Sequence, residues 1–452
     1  MTVYTPALRT EAREFFKLAV PLTSAQLAQS ATGFADTIMM GRMGADVLAA
    51  GGLASLIYFS VMLSANGVVM AVSPLVAEAY GAGQRQLIAR LTHQGMWLAL
   101  LVAAPAMVVM AGLEPWLLYS GQTPDVTALA GTYLHTILWS LLPAAGFTVL
   151  RSTVAALSQA RPIMVTIVVG TGCNILGNYL LGFGKLGLPA LGLRGLALAT
   201  VFTWWGMFLA LALYVLRQPR LGRYGLLQRL ERPHCKTLGR LAWVGLPIGA
   251  FSGLETGFFM VIMLWMGRLG TDALAAHQVV LQTVVVVFMI PLGISLATTV
   301  RVGQWLGRRN WAGLRRATGV SLAATTLAMA VCSALYLLFP RQIIALYPDV
   351  NDPANGDIVA LAMPLLAIAA ATQILDGLQK VIYGALQGLQ DTRIPTLLNV
   401  AGFWGVGLSV SYSLGFILEL GSRGLWIGQS VAIVVVTLLF GGRLCQRLIH
   451  RS

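Results

Sequence analysis

Three carboxylates stand where charge is strongly disfavoured. Of the 16 acidic residues in the chain, Asp36, Glu255 and Asp376 fall deep inside long apolar runs. A charge at mid-bilayer costs on the order of 3 kcal/mol even on lenient scales. Such residues persist when they face a water-filled cavity, a bound cation or a partner of opposite charge. The chemistry open to them is reversible capture of a proton or a metal cation, or attraction of a larger cationic ligand. Their neighbours suit that work. Gln26, Gln29, Gly33 and Asp36 follow spacings of 3, 4 and 3, which is one helical face. Asn174 and Asn178 stand four apart on another stretch, and Thr200 lies on the next. Amide, hydroxyl and carboxylate oxygens are the ligands a hard cation such as Na⁺ takes, so Asp36, Glu255 and Asp376 are the candidate Na⁺ ligands. In the second half Gln373, Asp376, Lys380 and Tyr383 form one stripe, with Gln278 and Gln282 on a different run. The competing reading is structural: polar side chains bond membrane helices together, and Lys380, at i+4 from Asp376, could neutralise it within one helix.

These residues need elements to hold them, and composition says what kind. The 452 residues are 57% hydrophobic and 10% charged, against about 25% charged in soluble domains. Runs long enough to cross a bilayer, about 20 residues each, recur at roughly 14–40, 47–75, 88–113, 127–150, 162–184, 192–216, 239–266, 273–300, 314–339, 356–385, 394–418 and 424–446. The expectation is an all-α integral membrane protein of twelve transmembrane helices. Pro21, Pro143, Pro247, Pro291 and Pro364 fall inside these runs, where membrane helices tolerate them.

The chain repeats itself at half its length. Gly41–Ala50 (GRMGADVLAA) and Gly267–Ala276 (GRLGTDALAA) agree at seven of ten positions, 226 residues apart. The same offset pairs Pro21 with Pro247, Gly67 with Gly293, Ala71 with Ala297 and Gly81 with Gly307. Two homologous halves in an apolar chain suggest a transporter with two pseudo-symmetric six-helix lobes. Expected bounds are 1–216 for the N-terminal lobe, 217–238 for a basic linker and 239–452 for the C-terminal lobe. The acids are not duplicated: Ile262 stands opposite Asp36, and Gln29 opposite Glu255.

Basic residues orient the chain. With both termini inside, cytoplasmic segments, Arg151, Arg301 and Lys380 included, hold 24 of the 30 Lys and Arg residues, a strong positive-inside bias. The bias accounts for the net charge of +14 without nucleic acid, for which no motif appears. Cys173, Cys235, Cys332 and Cys445 show no ligand spacing and are expected as free thiols. His93, His135, His234, His277 and His450 form no metal motif, and His277 is expected to be a packing residue. No nucleophile–base pair or phosphate loop marks an enzyme, and no cofactor is implied.

At these residues the chain resembles the multidrug and toxic compound extrusion (MATE) transporters of the NorM branch. The resemblance rests on Gly33–Gly44 (GFADTIMMGRMG), Pro74–Gly83 (PLVAEAYGAG), the Arg161–Gly184 stretch with CNILGNYLLGFG, Gly253–Glu255, Ala275–Gln278 (AAHQ) and Gly384–Arg393 (GALQGLQDTR). It implies two six-helix lobes around a central cavity, and export of organic cations and hydrophobic drugs by alternating access against inward Na⁺ or H⁺. It assigns Asp36, Asn174, Asn178 and Thr200 to an N-lobe cation and proton site, and Glu255 and Asp376 to a C-lobe acidic pair. The sequence departs from the branch at Thr372, where tyrosine is common. Gln29, Gln278, Gln282, Gln373 and Tyr383 are the expected cavity residues. The implied partners are cationic or hydrophobic drugs and membrane lipids; a monomer in a bacterial inner membrane suffices. The alternative is a flippase for lipid-linked oligosaccharides of the same superfamily, which would need several deep basic residues.

Overall fold

The computed structural model describes residues 4–119, 123–187, 189–228, 231–347, 352 and 355–449; Arg229, His450 and Arg451 lie outside them. Among these the chain is helical throughout. Its long helices are α1 (Tyr4–Met43), α2 (Asp46–Gly81), α3 (Arg85–Ala111), α4 (Pro124–Ala156), α5 (Arg161–Phe183), α6 (Gly192–Arg217), α7 (Cys235–Arg268), α8 (Thr271–Gly307), α9 (Trp311–Leu338), α10 (Gly356–Gly388), α11 (Arg393–Ile417) and α12 (Gly421–Ile449). All but α1 carry an apolar window long enough to span a bilayer. At 40 residues α1 is the longest, but Thr23, Ser24, Gln26, Gln29, Ser30, Thr32 and Asp36 dilute its apolar character.

The helices outrun the spans read from the sequence. At about 1.5 Å per residue, the 37 residues of α8 reach well beyond the roughly 30 Å hydrocarbon layer. Helix α2 turns at Met70 and Ala71 before its last ten residues, Val72–Gly81. Helix α11 contains two π-helical stretches, Val400–Gly407 and Ser413–Ile417.

The chain divides into two compact units: residues 24–252, and residues 1–23 with 253–452. The division does not fall in the linker 217–238, which lies wholly within the first of these. It falls inside α1 and inside α7, and the backbone shows why. Within the 24–252 unit, the first part of α7 lies directly on α2. A Cβ at Gly67 would sit 2.8 Å from the Gly249 Cα, and one at Gly245 would sit 2.1 Å from the Val68 carbonyl oxygen. Within the other unit, the first part of α1 lies as closely on α8, where a Cβ at Gly293 would sit 2.4 Å from the Thr23 Cα. Gly67 and Gly293, and Thr23 and Gly249, are partners in the 226-residue repeat. The same close approach is therefore made once in each unit.

Polar contacts secure both segments. Glu11 on α1 and Arg301 on α8 are 3% and 7% exposed. The guanidinium donates through both Nε (2.8 Å) and Nη2, and Trp305 Nε1 donates to the same carboxylate at 3.0 Å. In the 24–252 unit, Gln94 on α3 donates to the Arg232 carbonyl at 2.9 Å and accepts from the His234 amide at 2.8 Å. The linker's end is thus tied to α3.

Candidate functional site

Four of the expected residues meet in the 24–252 unit. Asn178 Nδ2 on α5 donates to Asp36 Oδ1 on α1 and to Asn174 Oδ1 at 3.1 Å. Asn174 Nδ2 donates onward to Thr200 Oγ1 on α6 at 3.3 Å. The i, i+4 spacing stacks the two asparagines on one face of α5, and that face is turned from lipid: Asn174 and Asn178 are 1% and 0% exposed. The Asn178 Oδ1 atom is buried with no hydrogen-bond partner among the described residues. Among the described residues no salt bridge joins Asp36 to a basic side chain. The cluster thus offers a half-buried carboxylate, an unpartnered amide oxygen and a hydroxyl. That donor set suits a proton on the carboxyl group or a hard monovalent cation.

The second unit is arranged differently. Lys380 on α10 reaches across to Glu255 on α7, with Nζ 2.7 Å from Oε2 and both side chains largely enclosed. The strong contact is therefore between helices, where the i+4 spacing had pointed to Asp376 within α10. Asp376 is half-buried and within electrostatic reach of both Glu255 and Lys380. Lys380 Nζ also lies 5.2 Å from the centre of the Phe288 ring. Two carboxylates about one ammonium leave one negative charge over, which a proton or a cation on the acidic pair would balance. Among the described residues no three or more His, Cys, Asp or Glu side chains gather as a metal cluster.

The five expected cavity residues separate by burial. Gln29 and Gln282 are half-buried, and Gln278 is exposed, with Nε2 3.6 Å from Met263 Sδ. Gln373 and Tyr383 are enclosed, at 2% and 3% exposure. Gln373 lies against Met329 Sδ at 3.6 Å, and Tyr383 stacks on Phe440. The stripe they form with Asp376 and Lys380, in steps of 3, 4 and 3, is turned largely into helix packing. His277 is a packing residue, 1% exposed, its Nδ1 accepting from Trp426 Nε1 at 3.1 Å. All four cysteines are free.

Several polar residues escaped the sequence reading. Arg151, expected in a connector, sits inside α4 and donates to Gln26 on α1 at 3.5 Å. Arg301, beyond the end of its expected span, likewise lies inside α8. In the 24–252 unit, Tyr58 shares a 2.7 Å hydrogen bond with Ser140. Ser55 donates to Tyr133 at 3.3 Å, and both tyrosines are near enough to feel the Asp36 charge. The available signal was a phenol inside an apolar span, since a buried tyrosine hydroxyl needs a partner.

A bundle of long apolar helices built on an internal repeat, with a carboxylate–amide–hydroxyl cluster inside, defines a multi-pass membrane protein of the transporter class. The profile of the MatE family matches residues 21–180 and 247–413, two stretches that begin at repeat-related prolines, and the chain belongs to this family. It is 48% identical over 445 residues to a probable multidrug resistance protein NorM of Synechocystis sp., covering 98% of this chain and 96% of the relative. Identity to a probable NorM of Pseudomonas aeruginosa is 39% over 434 residues, covering 95% and 89%. Among solved structures, the outward-facing conformation of a multidrug resistance MATE transporter superposes with a TM-score of 0.89 at 20% identity, covering 100% of this chain and 99% of that one. The eukaryotic MATE transporter AtDTX14 gives 0.85 at 21% identity, covering 98% and 99%. At that identity the structures speak for the fold alone.

Proposed function

We propose that this chain is a secondary multidrug efflux transporter of a bacterial inner membrane. It exports organic cations and hydrophobic drugs by antiport with Na⁺ or H⁺, and one chain is sufficient. The names of its curated relatives support multidrug efflux. The observation that carries the coupling role is the Asp36–Asn178–Asn174–Thr200 chain, a carboxylate without a basic partner among the described residues beside an unpartnered amide oxygen. Such a site binds a small cation or a cationic drug, and full occupancy by one weakens the other. That competition is reciprocal linkage between two ligands. Opening to the two sides of the membrane in turn converts it into exchange. Glu255 and Asp376, held around Lys380, are a second candidate for coupling.

The test is efflux of ethidium from vesicles reconstituted with the full chain, with a Na⁺ gradient and a pH gradient imposed separately. Asp36→Asn is expected to abolish gradient-driven efflux under whichever gradient drives the native protein, while still inserting in the membrane. Undiminished efflux would remove Asp36 from the coupling step.

A further inference from the structure

The two units finish corresponding helices alike but balance charge there differently. In one, the amides of Leu389, Gln390 and Asp391 at the end of α10 bond back to Ala385, Gln387 and Leu386, with Gln390 at φ 60°. In the 24–252 unit the same three bonds recur 232 residues earlier, from Leu157, Ser158 and Gln159 to Thr153, Ala155 and Val154, with Ser158 at φ 63°. Helices α6 and α12 also open alike, at Gly192 (φ 56°) and Gly421 (φ 57°), which puts Tyr214 in the place of Arg443. The contacts agree with that alignment. Asp391, 5% exposed, accepts from Arg443 Nε at 2.7 Å and Arg447 Nε at 2.6 Å. At the matching place Gln159 Oε1 accepts from the Tyr214 hydroxyl at 3.1 Å. A carboxylate between two guanidiniums has become an amide beside a phenol.

Around Gln159 lies a cavity of about 310 Å³ that the other unit's arrangement does not explain. Buried Leu157 and Leu221 line it, with half-buried Tyr80 and Tyr224. Exposed Arg85, Arg220 and Arg223 rim it, and Ser158 adds a hydroxyl. None of the described lining residues is acidic. Burial and the neighbouring Tyr80 push the Tyr224 phenol upward while Arg85 and Arg223 draw it back, so at neutral pH it is a donor beside two cations. Three guanidiniums and hydroxyl donors about one hollow, with no internal anion, match the fork geometry and charge of a phosphate group. The cavity stands where α3 begins and where α4 and α6 end, and Leu213 and Leu216 in the last turns of α6 are exposed. A headgroup in the cavity would leave its acyl chains on apolar surface.

We propose that this cavity binds a phosphate group, presented by an anionic phospholipid or by a small soluble phosphate ester. The test is binding to the purified full chain in detergent, read by native mass spectrometry with phosphatidylglycerol and phosphatidylcholine, and by thermal shift with inorganic phosphate. The native chain should prefer phosphatidylglycerol. Arg220→Ala with Arg223→Ala should lower that binding about tenfold or more. Gln159→Glu, which restores an internal carboxylate, should do the same without removing any arginine. Arg9→Ala with Arg13→Ala, which removes equal charge from an exposed stretch of α1, should leave binding unchanged. Stabilisation by millimolar inorganic phosphate, lost in the Arg220/Arg223 variant, would support the same site and assign it to a soluble ester; selectivity for the lipid without that response would assign it to the headgroup. Equal binding of the two lipids with no response to phosphate, or equal loss in the Arg9/Arg13 variant, would overturn the proposal.

Discussion

At the scale of single residues, the two units treat buried carboxylate in opposite ways. Asp36 is held by an amide and is bonded to no cation among the described residues; Glu255 is held by Lys380. The second arrangement has a measurable consequence. Lys380→Met leaves Glu255 enclosed beside Asp376 with the ammonium gone, and breaking a buried pair on one side costs about 3–5 kcal/mol. Adding Glu255→Gln should recover part of that loss, so the double variant should melt above the single Lys380→Met variant in a thermal unfolding series. A double variant no more stable than the single would mean the pair is not a unit. In the first arrangement, spacings of 3 and 4 put Gln26, Gln29 and Asp36 on one face of α1 and both asparagines on one face of α5, while only the family resemblance implied that the two faces meet. The partner of Lys380 was not. Spacing within α10 offers only Asp376, while the residue it holds lies 125 positions away on α7, and periodicity carries no information about which helices meet.

Among elements, close helix contact depends on a few glycines. Gly67 and Gly293 leave no room for a side chain, whereas Gly52 has no heavy atom within 4 Å of where a Cβ would stand. Gly67→Val and Gly293→Val are therefore expected to abolish the folded, detergent-stable form, while Gly52→Ala should express normally with an unshifted melting temperature. Size-exclusion profiles of the three variants separate these outcomes. The repeat announced that Gly67 and Gly293 do equivalent work, and the twelve runs read from hydropathy each fall on one of the twelve long helices, in order, eleven of them with a window apolar enough to span. Hydropathy could not find the turn at Met70, the two π-helical stretches of α11, or the contact of Arg151 with Gln26, because an average over a window of residues carries neither local backbone geometry nor helix pairing. Helix ends were misjudged for a related reason. A helix continues past the apolar layer as long as its backbone bonds hold, so Arg301 stays helical where charge alone suggested a connector.

At the scale of the whole molecule, the basic bias predicts a topology with both termini in the cytoplasm. Cys235 and Cys445 are exposed and follow basic stretches. In cells, a membrane-impermeant maleimide should label neither from outside, and in inverted vesicles it should label both; external labelling of Cys235 or Cys445 would reverse the orientation. The division of the chain reaches further, into how the protein is made. A ribosome delivers residues 1–23 before residues 24–252, yet their unit is otherwise built from residues 253–452, which emerge later still. That segment must therefore wait, with Glu11 lacking its arginine, until the 290 further residues up to Arg301 have been made. Loss of residues 253–452 would strand it permanently, with Glu11 and the close-packed Thr23 left without the partners that cover them.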